Sequence, residues 1–263
     1  MKKLILIDGN ALVHRAFHAL PPLTSPRGIV TNAVFGFSSI LLKTIKDMKP
    51  DYIAAAFDLA GPTFRHEEFA EYKIHRERAP QELYNQIPIV KDILDAFGVP
   101  VYEKQGYEAD DLIGTLATKI KNKDLQVIIA TGDLDTLQLV NADKVVVFTL
   151  KKGVSDTVIY DEEAVRARYD LKPGQLNDYR GLKGDPSDNI PGVPGIGDKT
   201  AAILIKEYGS LENLYKSLEQ KEIKDKEVKE IQTAKRLSPK LAEKLLEFKD
   251  QAFFSKQLST LVT

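Results

Sequence analysis

Along roughly the first 160 residues, short apolar runs alternate with longer amphipathic stretches. Leu4–Ile7, Tyr52–Phe57, Gln126–Ala130 and Lys144–Phe148 are nearly continuous in hydrophobic side chains, the pattern of parallel strands covered on both faces. Asn32–Met48, Gln81–Phe97 and Ala109–Lys121 instead carry a helical pattern. Strand and helix in turn predict an α/β fold, a mostly parallel twisted sheet flanked by helices on both faces. Beyond about residue 160 the strand pattern stops, and short helical segments follow, interrupted by Pro173 and a proline-glycine stretch. Glu219 to Lys249 is rich in lysine and glutamate with sparse leucines, as in solvated amphipathic helices. These shifts suggest an α/β region over residues 1–175 and a helical region over residues 176–263.

Two segments stand apart. Residues 60–80, AGPTFRHEEFAEYKIHRERAP, lie between a strand and a helix and far exceed the usual connection of roughly 2–6 residues. They interleave Arg65, Lys73, Arg76 and Arg78 with Phe64, Phe69 and Tyr72. A long basic-aromatic excursion beside a sheet is more often functional than decorative. Residues 184–201, GDPSDNIPGVPGIGDKTA, crowd prolines and glycines ahead of a helix start at Asp198-Lys199-Thr200-Ala201. Such a turn can be a plain connection between helices, but here two aspartates stand immediately upstream.

The composition narrows the chemistry. The 263 residues include no cysteine, which excludes a disulfide framework, a thiolate metal site and a thiol nucleophile. The apolar run after Met1 stops at Asp8, short of the roughly 7–15 residues of a secretory core. No segment approaches the ~20 apolar residues of a membrane span. A cytoplasmic protein without a membrane partner is expected. The net charge of −1 argues against a simple basic coat for nucleic acid.

The positions of the acids change that picture. Asp8, Asp58 and Asp133 follow three of the apolar runs, where open α/β sheets build their sites. Asp135 follows two residues later, and GYEADD places Glu108, Asp110 and Asp111 at a helix start. Asp185 and Asp188 open the proline-glycine stretch. Any one of these could be a helix cap or a turn residue. Converging on one crevice, each close pair would cost about 4 kcal/mol at an effective dielectric near 20. Protons or cations must offset that repulsion. With oxygen-only ligands, Mg²⁺ or Mn²⁺ is indicated. His14, His18, His66 and His75 show no metal-ligand spacing and read as surface or packing residues. Setting the nine acids aside turns the net charge from −1 to +8, which restores nucleic acid as a partner.

LIDGN with HRAFHAL, AAAFD, FRHEEFAEYKIHR, GYEADD, ATGDLD and GLKGDPSDNIPGVPGIGDKTA occur in one order over nearly the whole chain. Together they resemble the 5′→3′ exonuclease (flap endonuclease) domain at the N-terminus of bacterial DNA polymerase I. The resemblance implies a PIN-like 5′ nuclease core with a helical arch at 60–95 and a C-terminal helix–three-turn–helix region containing a helix-hairpin-helix-like turn at 184–201. It implies hydrolysis of DNA phosphodiesters at 5′ flaps, nicks and 5′ ends through two metal sites, without a side-chain nucleophile. Asp8, Asp58, Glu108, Asp110, Asp111, Asp133, Asp135, Asp185 and Asp188 match its metal-binding acids. Arg65, Tyr72, Lys73 and Arg76 match the arch that grips the 5′ strand, with Lys73, Arg76 and the cleft residue Arg15 acting on the phosphate. Gly195, Gly197, Lys199 and Thr200 match a backbone cradle for duplex phosphates, and carbonyls near Val193 and Ile196 a K⁺ site. A monomer is expected, with a polymerase domain on the same chain as a further expectation. His14 replaces a tyrosine common in the family, and RERAP a more proline-rich stretch; neither touches the acids.

Three other readings stand beside this one. GDLDT, Gly132–Thr136, imitates the nucleophile motif of haloacid dehalogenase phosphohydrolases, though Thr131 and Gly132 intervene after the strand. A catalytically inert junction-binding module would keep the DNA grip alone. A single-strand ribonuclease would leave the duplex-gripping turn without a purpose.

Overall fold

The structure, a computed structural model, describes residues 1–120, 124–142, 144–153, 156–225 and 237–263. Part of the Glu219–Lys249 stretch, residues 226–236, lies outside them, as does Lys121 at the end of a predicted helix. The chain forms two compact units, one of Met1–Phe69, Glu77–Val165 and Leu261–Thr263, the other of Ala70–Arg76 and Arg166–Thr260.

The first unit is built on a six-stranded sheet. Its elements are β1 (Lys2–Asp8), α1 (Gly9–Ala19), α2 (Asn32–Met48), β2 (Tyr52–Ala56), α3 (Phe64–Glu68), α4 (Gln81–Tyr84), α5 (Ile87–Ala96), β3 (Val101–Tyr102), α6 (Ala109–Lys119), β4 (Leu125–Thr131), β5 (Val145–Lys152), β6 (Asp156–Tyr160) and the first half of α7 (Glu162–Tyr169). The strand order is β3-β2-β1-β4-β5-β6. All neighbours are parallel except β5 and β6. The order reverses direction between β1 and β4, so a crevice is expected beyond their carboxyl ends. Ile5, Ile7, Phe37, Ile40, Phe57 and Ile128 are among the residues of the buried core.

Differences from the sequence reading have local causes. The stretch Gln81–Phe97 forms two helices because Pro88 opens α5; it has no N–H to continue a ladder from α4. Helix α1, not expected, starts directly after β1, where Asp8 accepts the Ala11 N–H at 3.0 Å as its N-cap. Strands β3 and β6 were not expected either: one has two residues and the other is a half-exposed edge strand.

In the second unit α8 (Leu176–Lys183), α9 (Asp198–Tyr208), α10 (Leu211–Asp225), α11 (Pro239–Glu247) and α12 (Lys249–Ser259) surround a core that includes Leu182, Ile205, Leu214 and Ala252.

Gly9 shows how tightly the β1–α1 corner is built. A Cβ there would lie 2.2–2.5 Å from three atoms of the buried Phe57 ring. Gly9→Ala is expected to lower stability by about 1–3 kcal/mol, and Phe57→Leu in the same chain to recover part of it. Urea unfolding of the two variants checks this.

Candidate active site

In the first unit, Asp8 stands at the end of β1 and is buried. One of its oxygens accepts the Ala11 N–H and the other the Thr131 hydroxyl at 2.7 Å. Thr131 ends β4, and its Oγ1 in turn accepts the Asp133 N–H at 2.9 Å. Asp133 Oδ1 then accepts the Asp135 N–H at 2.8 Å, capping the 3₁₀ segment Leu134–Leu139. Thr131 thus couples the first strand-end acid to the second. It was not singled out from the sequence, although a polar residue closing an otherwise apolar strand was its signal.

Asp58 follows β2 and is exposed. Its N–H donates to Asn10 Oδ1 at 3.1 Å, and its Oδ1 accepts the Ala109 N–H at 2.7 Å, at the first turn of α6. That helix begins with Glu108, Asp110 and Asp111, each of which offers an oxygen within 4.8 Å of the other two. Placing three acids at a helix N-terminus draws on the helix dipole. Oxygen donors so arranged fit a hard divalent cation.

The electrostatics agree with a crowded site. Burial above all pushes the Asp8 carboxyl up to about 7, and the charges of Asp58 and Asp133 push the same way. The bonds from Ala11 and Thr131 oppose that rise. Arg15, on α1, lies beside the same corner: its Cβ is 3.7 Å from the position a Gly132 Cβ would take. Its Nε donates to the Gly153 carbonyl at 3.4 Å.

Arg65 departs from expectation. It is 1 % exposed and faces the acids of its own unit. Its guanidinium donates to both oxygens of Asp111, at 2.7 and 2.8 Å, and to Glu108 Oε2 at 3.0 Å. In this conformation it has no surface to offer a DNA strand. The five-residue helix α3 is the reason. Thr63 and His66 cap its start reciprocally, which turns Arg65 inward while Glu67 and Glu68 face solvent.

In the second unit, Tyr72, Lys73 and Arg76 converge on Asp188. The Tyr72 hydroxyl donates to Asp188 Oδ2 at 3.3 Å, and Arg76 Nη2 to Oδ1 at 3.2 Å. Lys73 Nζ is 3.7 Å from Oδ2, and its N–H donates to the Asp188 carbonyl at 2.9 Å. Tyr72 is only 4 % exposed, so base stacking would require it to leave this position. Asp185 Oδ1 accepts the N–H and hydroxyl of Ser187 at 3.0 and 2.6 Å, which shapes the same loop.

The proline-glycine stretch then folds back on itself. Gly192 (φ +59°) crosses Gly184 so closely that a Cβ would sit 2.2 Å from the Gly184 nitrogen. Val193-Pro194-Gly195-Ile196 closes a turn through the Ile196 N–H and Val193 carbonyl at 3.0 Å. Gly195 (φ +78°) occupies its third position, where a left-handed residue is required. Val193 and Ile196 bury their side chains, while Pro194, Gly195, Gly197 and Lys199 are exposed. Gly197 precedes α9, and Thr200 lies half-buried in its first turn. A cavity of about 450 Å³ opens here, lined by Arg168, Tyr169, Tyr179, Asp198, Lys199 and Ala202. Tyr179 donates to Asp198, and Lys183 Nζ pairs with the same carboxylate at 2.9 Å.

Residues 3–170 match the protein family described as 5′-3′ exonuclease, N-terminal resolvase-like domain, and residues 171–263 its counterpart described as 5′-3′ exonuclease, C-terminal SAM fold. The chain belongs to the 5′-3′ exonuclease family. The chain is 46 % identical over 262 residues to DNA polymerase I of Bacillus subtilis, covering 100 % of this chain and 28 % of that protein. It is 44 % identical over 263 residues to DNA polymerase I of Caldicellulosiruptor bescii, covering 99 % of this chain and 29 % of that one. It therefore spans under a third of the length of these relatives.

Among solved structures, the T5 5′-exonuclease with bound divalent zinc matches this chain with a TM-score of 0.74 at 22 % identity, over 99 % of this chain and 90 % of the other. A bacteriophage T5 D15 flap endonuclease complex with DNA and metal ions matches with a TM-score of 0.77 at 19 % identity, over 99 % and 89 %. At these identities the likeness is one of fold.

The Asp8 environment generates a pH-dependent prediction. With its folded value raised to about 7 from the ordinary 3.8, the folded state holds a proton that the unfolded chain has released. The stability from that proton is lost as pH rises between the two values. Asp8→Asn cannot ionise, so in chelator its stability relative to wild type should increase from pH 5 to pH 8. Urea unfolding at the two pH values measures it; a constant difference would show that Asp8 ionises normally.

Proposed function

We propose that this protein is a divalent-metal-dependent 5′→3′ exonuclease and 5′-flap endonuclease that hydrolyses DNA phosphodiesters in replication and repair. The observation that carries the reading is the gathering of Asp8, Asp58, Asp133 and the Glu108–Asp111 acids around the switch in strand order of the first unit. Membership in the exonuclease family and the high identity to part of two DNA polymerases I support it. On this reading the protein acts as part of a polymerase, in the cytoplasm and as a monomer. No helix among the described residues is long and apolar enough to cross a membrane.

Asp8, Asp58, Glu108, Asp110, Asp133 and Asp135 would serve Mg²⁺ or Mn²⁺ ions, two in all, with Asp111 supporting Glu108; Asp185 and Asp188 are proposed as further metal-binding acids in the second unit. When bound, the ions supply an acidified water and positive charge for the scissile phosphate. The carboxylates hold the site, and burial of Asp8 keeps bulk water from screening it. Arg15 would meet the phosphate, and Lys73 and Arg76 would exchange the Asp188 carboxylate for phosphate oxygens of the 5′ strand. Tyr72 would stack on a base once displaced.

The amides from Gly195 to Thr200, with the Lys199 ammonium, would take a duplex phosphate at the N-terminus of α9. Such a contact reads backbone rather than sequence. Its turn carbonyls near Val193 and Ile196 would suit a K⁺ ion.

An end-labelled 5′-flap duplex tests the proposal. Cleavage near the junction should require Mg²⁺ or Mn²⁺ and stop in EDTA. Asp133→Asn should slow it by at least roughly a hundredfold, because a metal contact is worth several kcal/mol, while leaving flap binding within a fewfold. Lys73→Ala should reduce the single-turnover rate more than duplex binding. Flap binding without cleavage by the wild type in either metal would favour the inert binding module.

A further inference from the structure

We infer that Arg65 and Val262 are positioning residues for the acidic centre, acting through Asp111, which is their shared anchor and not a direct metal ligand. The inference rests on the nuclease reading given above. Asp111 is 0 % exposed, and each of its oxygens accepts from two donors. Oδ1 takes Arg65 Nη2 at 2.7 Å and the Val262 N–H at 3.0 Å; Oδ2 takes Arg65 Nη1 at 2.8 Å and the Glu108 N–H at 3.2 Å. A carboxylate has about four lone-pair sites, and these four bonds occupy them.

The consequence falls on Glu108. Its side chain is held by Arg65 at 3.0 Å, and its backbone N–H by Asp111 at 3.2 Å. The arginine fork and Asp111 carboxylate form a neutral buried pair, so Glu108 is oriented without adding net charge to a crowded site. Lysine could supply the charge but not the fork.

The second donor to Asp111 Oδ1 comes from the strap Leu261–Thr263, which belongs to the same compact unit. The strap is seated at three points. The Leu261 N–H donates to Gln138 Oε1 at 3.0 Å, and the Thr115 hydroxyl to the Val262 carbonyl at 3.3 Å. Gly114 leaves room for that carbonyl, which would lie 2.9 Å from a Cβ at this position. Val262 reaches Asp111 through its backbone alone, so proline is the substitution that removes the contact and alanine the one that keeps it.

The test is a calorimetric titration of metal-stripped protein with Mn²⁺, without DNA, on variants whose fold is checked by circular dichroism. Val262→Pro and Arg65→Lys should each weaken Mn²⁺ binding roughly tenfold, the scale of an outer-shell loss. Val262→Ala should bind as wild type does. Flap-DNA affinity in EDTA should stay unchanged in all three. Wild-type Mn²⁺ affinity in folded Val262→Pro or Arg65→Lys would overturn the inference for that residue, and each variant decides alone if the other does not fold. A loss of DNA affinity confined to Arg65→Lys would return Arg65 to the strand grip. A wild-type protein that takes up no Mn²⁺ would instead remove the nuclease reading itself.

Discussion

Mutual repulsion among carboxylates at the end of a parallel sheet is the constraint around which this molecule is organised. Side by side, Asp8, Asp58, Asp133 and the acids opening α6 would not tolerate full ionisation without compensation. The fold answers in three ways. It buries Asp8 so that its proton is retained to about pH 7. It spends backbone N–H groups of Ala11, Ala109 and Asp135 on the carboxylates. It sets one full positive charge, Arg65, inside the group. What remains of the negative field is available to cations.

The second unit handles its acids by a different route. Asp188 is paired with lysine and arginine side chains, and Asp185 is hydrogen-bonded by a serine within its own turn. The backbone does the rest. The buried glycine crossing at Gly184 and Gly192 and the turn at Gly195 leave the segment before α9 with Val193 and Ile196 buried and Gly195 and Gly197 exposed. A surface of that kind suits contact with a phosphate backbone better than with base edges.

Much of the first unit was legible in the sequence because parallel strands covered on both faces must be apolar throughout, and several acids ending such runs, though each could be a cap, fall together at the carboxyl ends of one sheet. The chain order of those runs was enough to place Asp8, Asp58 and Asp133 at one edge of the sheet. Less legible was anything decided by a single turn. Arg65, Lys73 and Arg76 sit in one basic-aromatic stretch and look alike, yet a five-residue helix points Arg65 into the acids. Asp8 reads as a ligand and was not recognised as the cap that starts α1. Thr131 and Val262 act through a hydroxyl and a backbone N–H, and neither residue type carries a signal for that role.

The central claim is that the native arrangement holds excess negative charge that divalent cations relieve. The most direct measurement is the thermal unfolding midpoint of chelator-treated wild-type protein as Mn²⁺ is added at constant ionic strength. The account predicts a midpoint that climbs with the logarithm of metal concentration, corresponding to about 2.7 kcal/mol at a hundred times the dissociation constant. A midpoint that does not move, or one that moves equally with a monovalent salt, would contradict it.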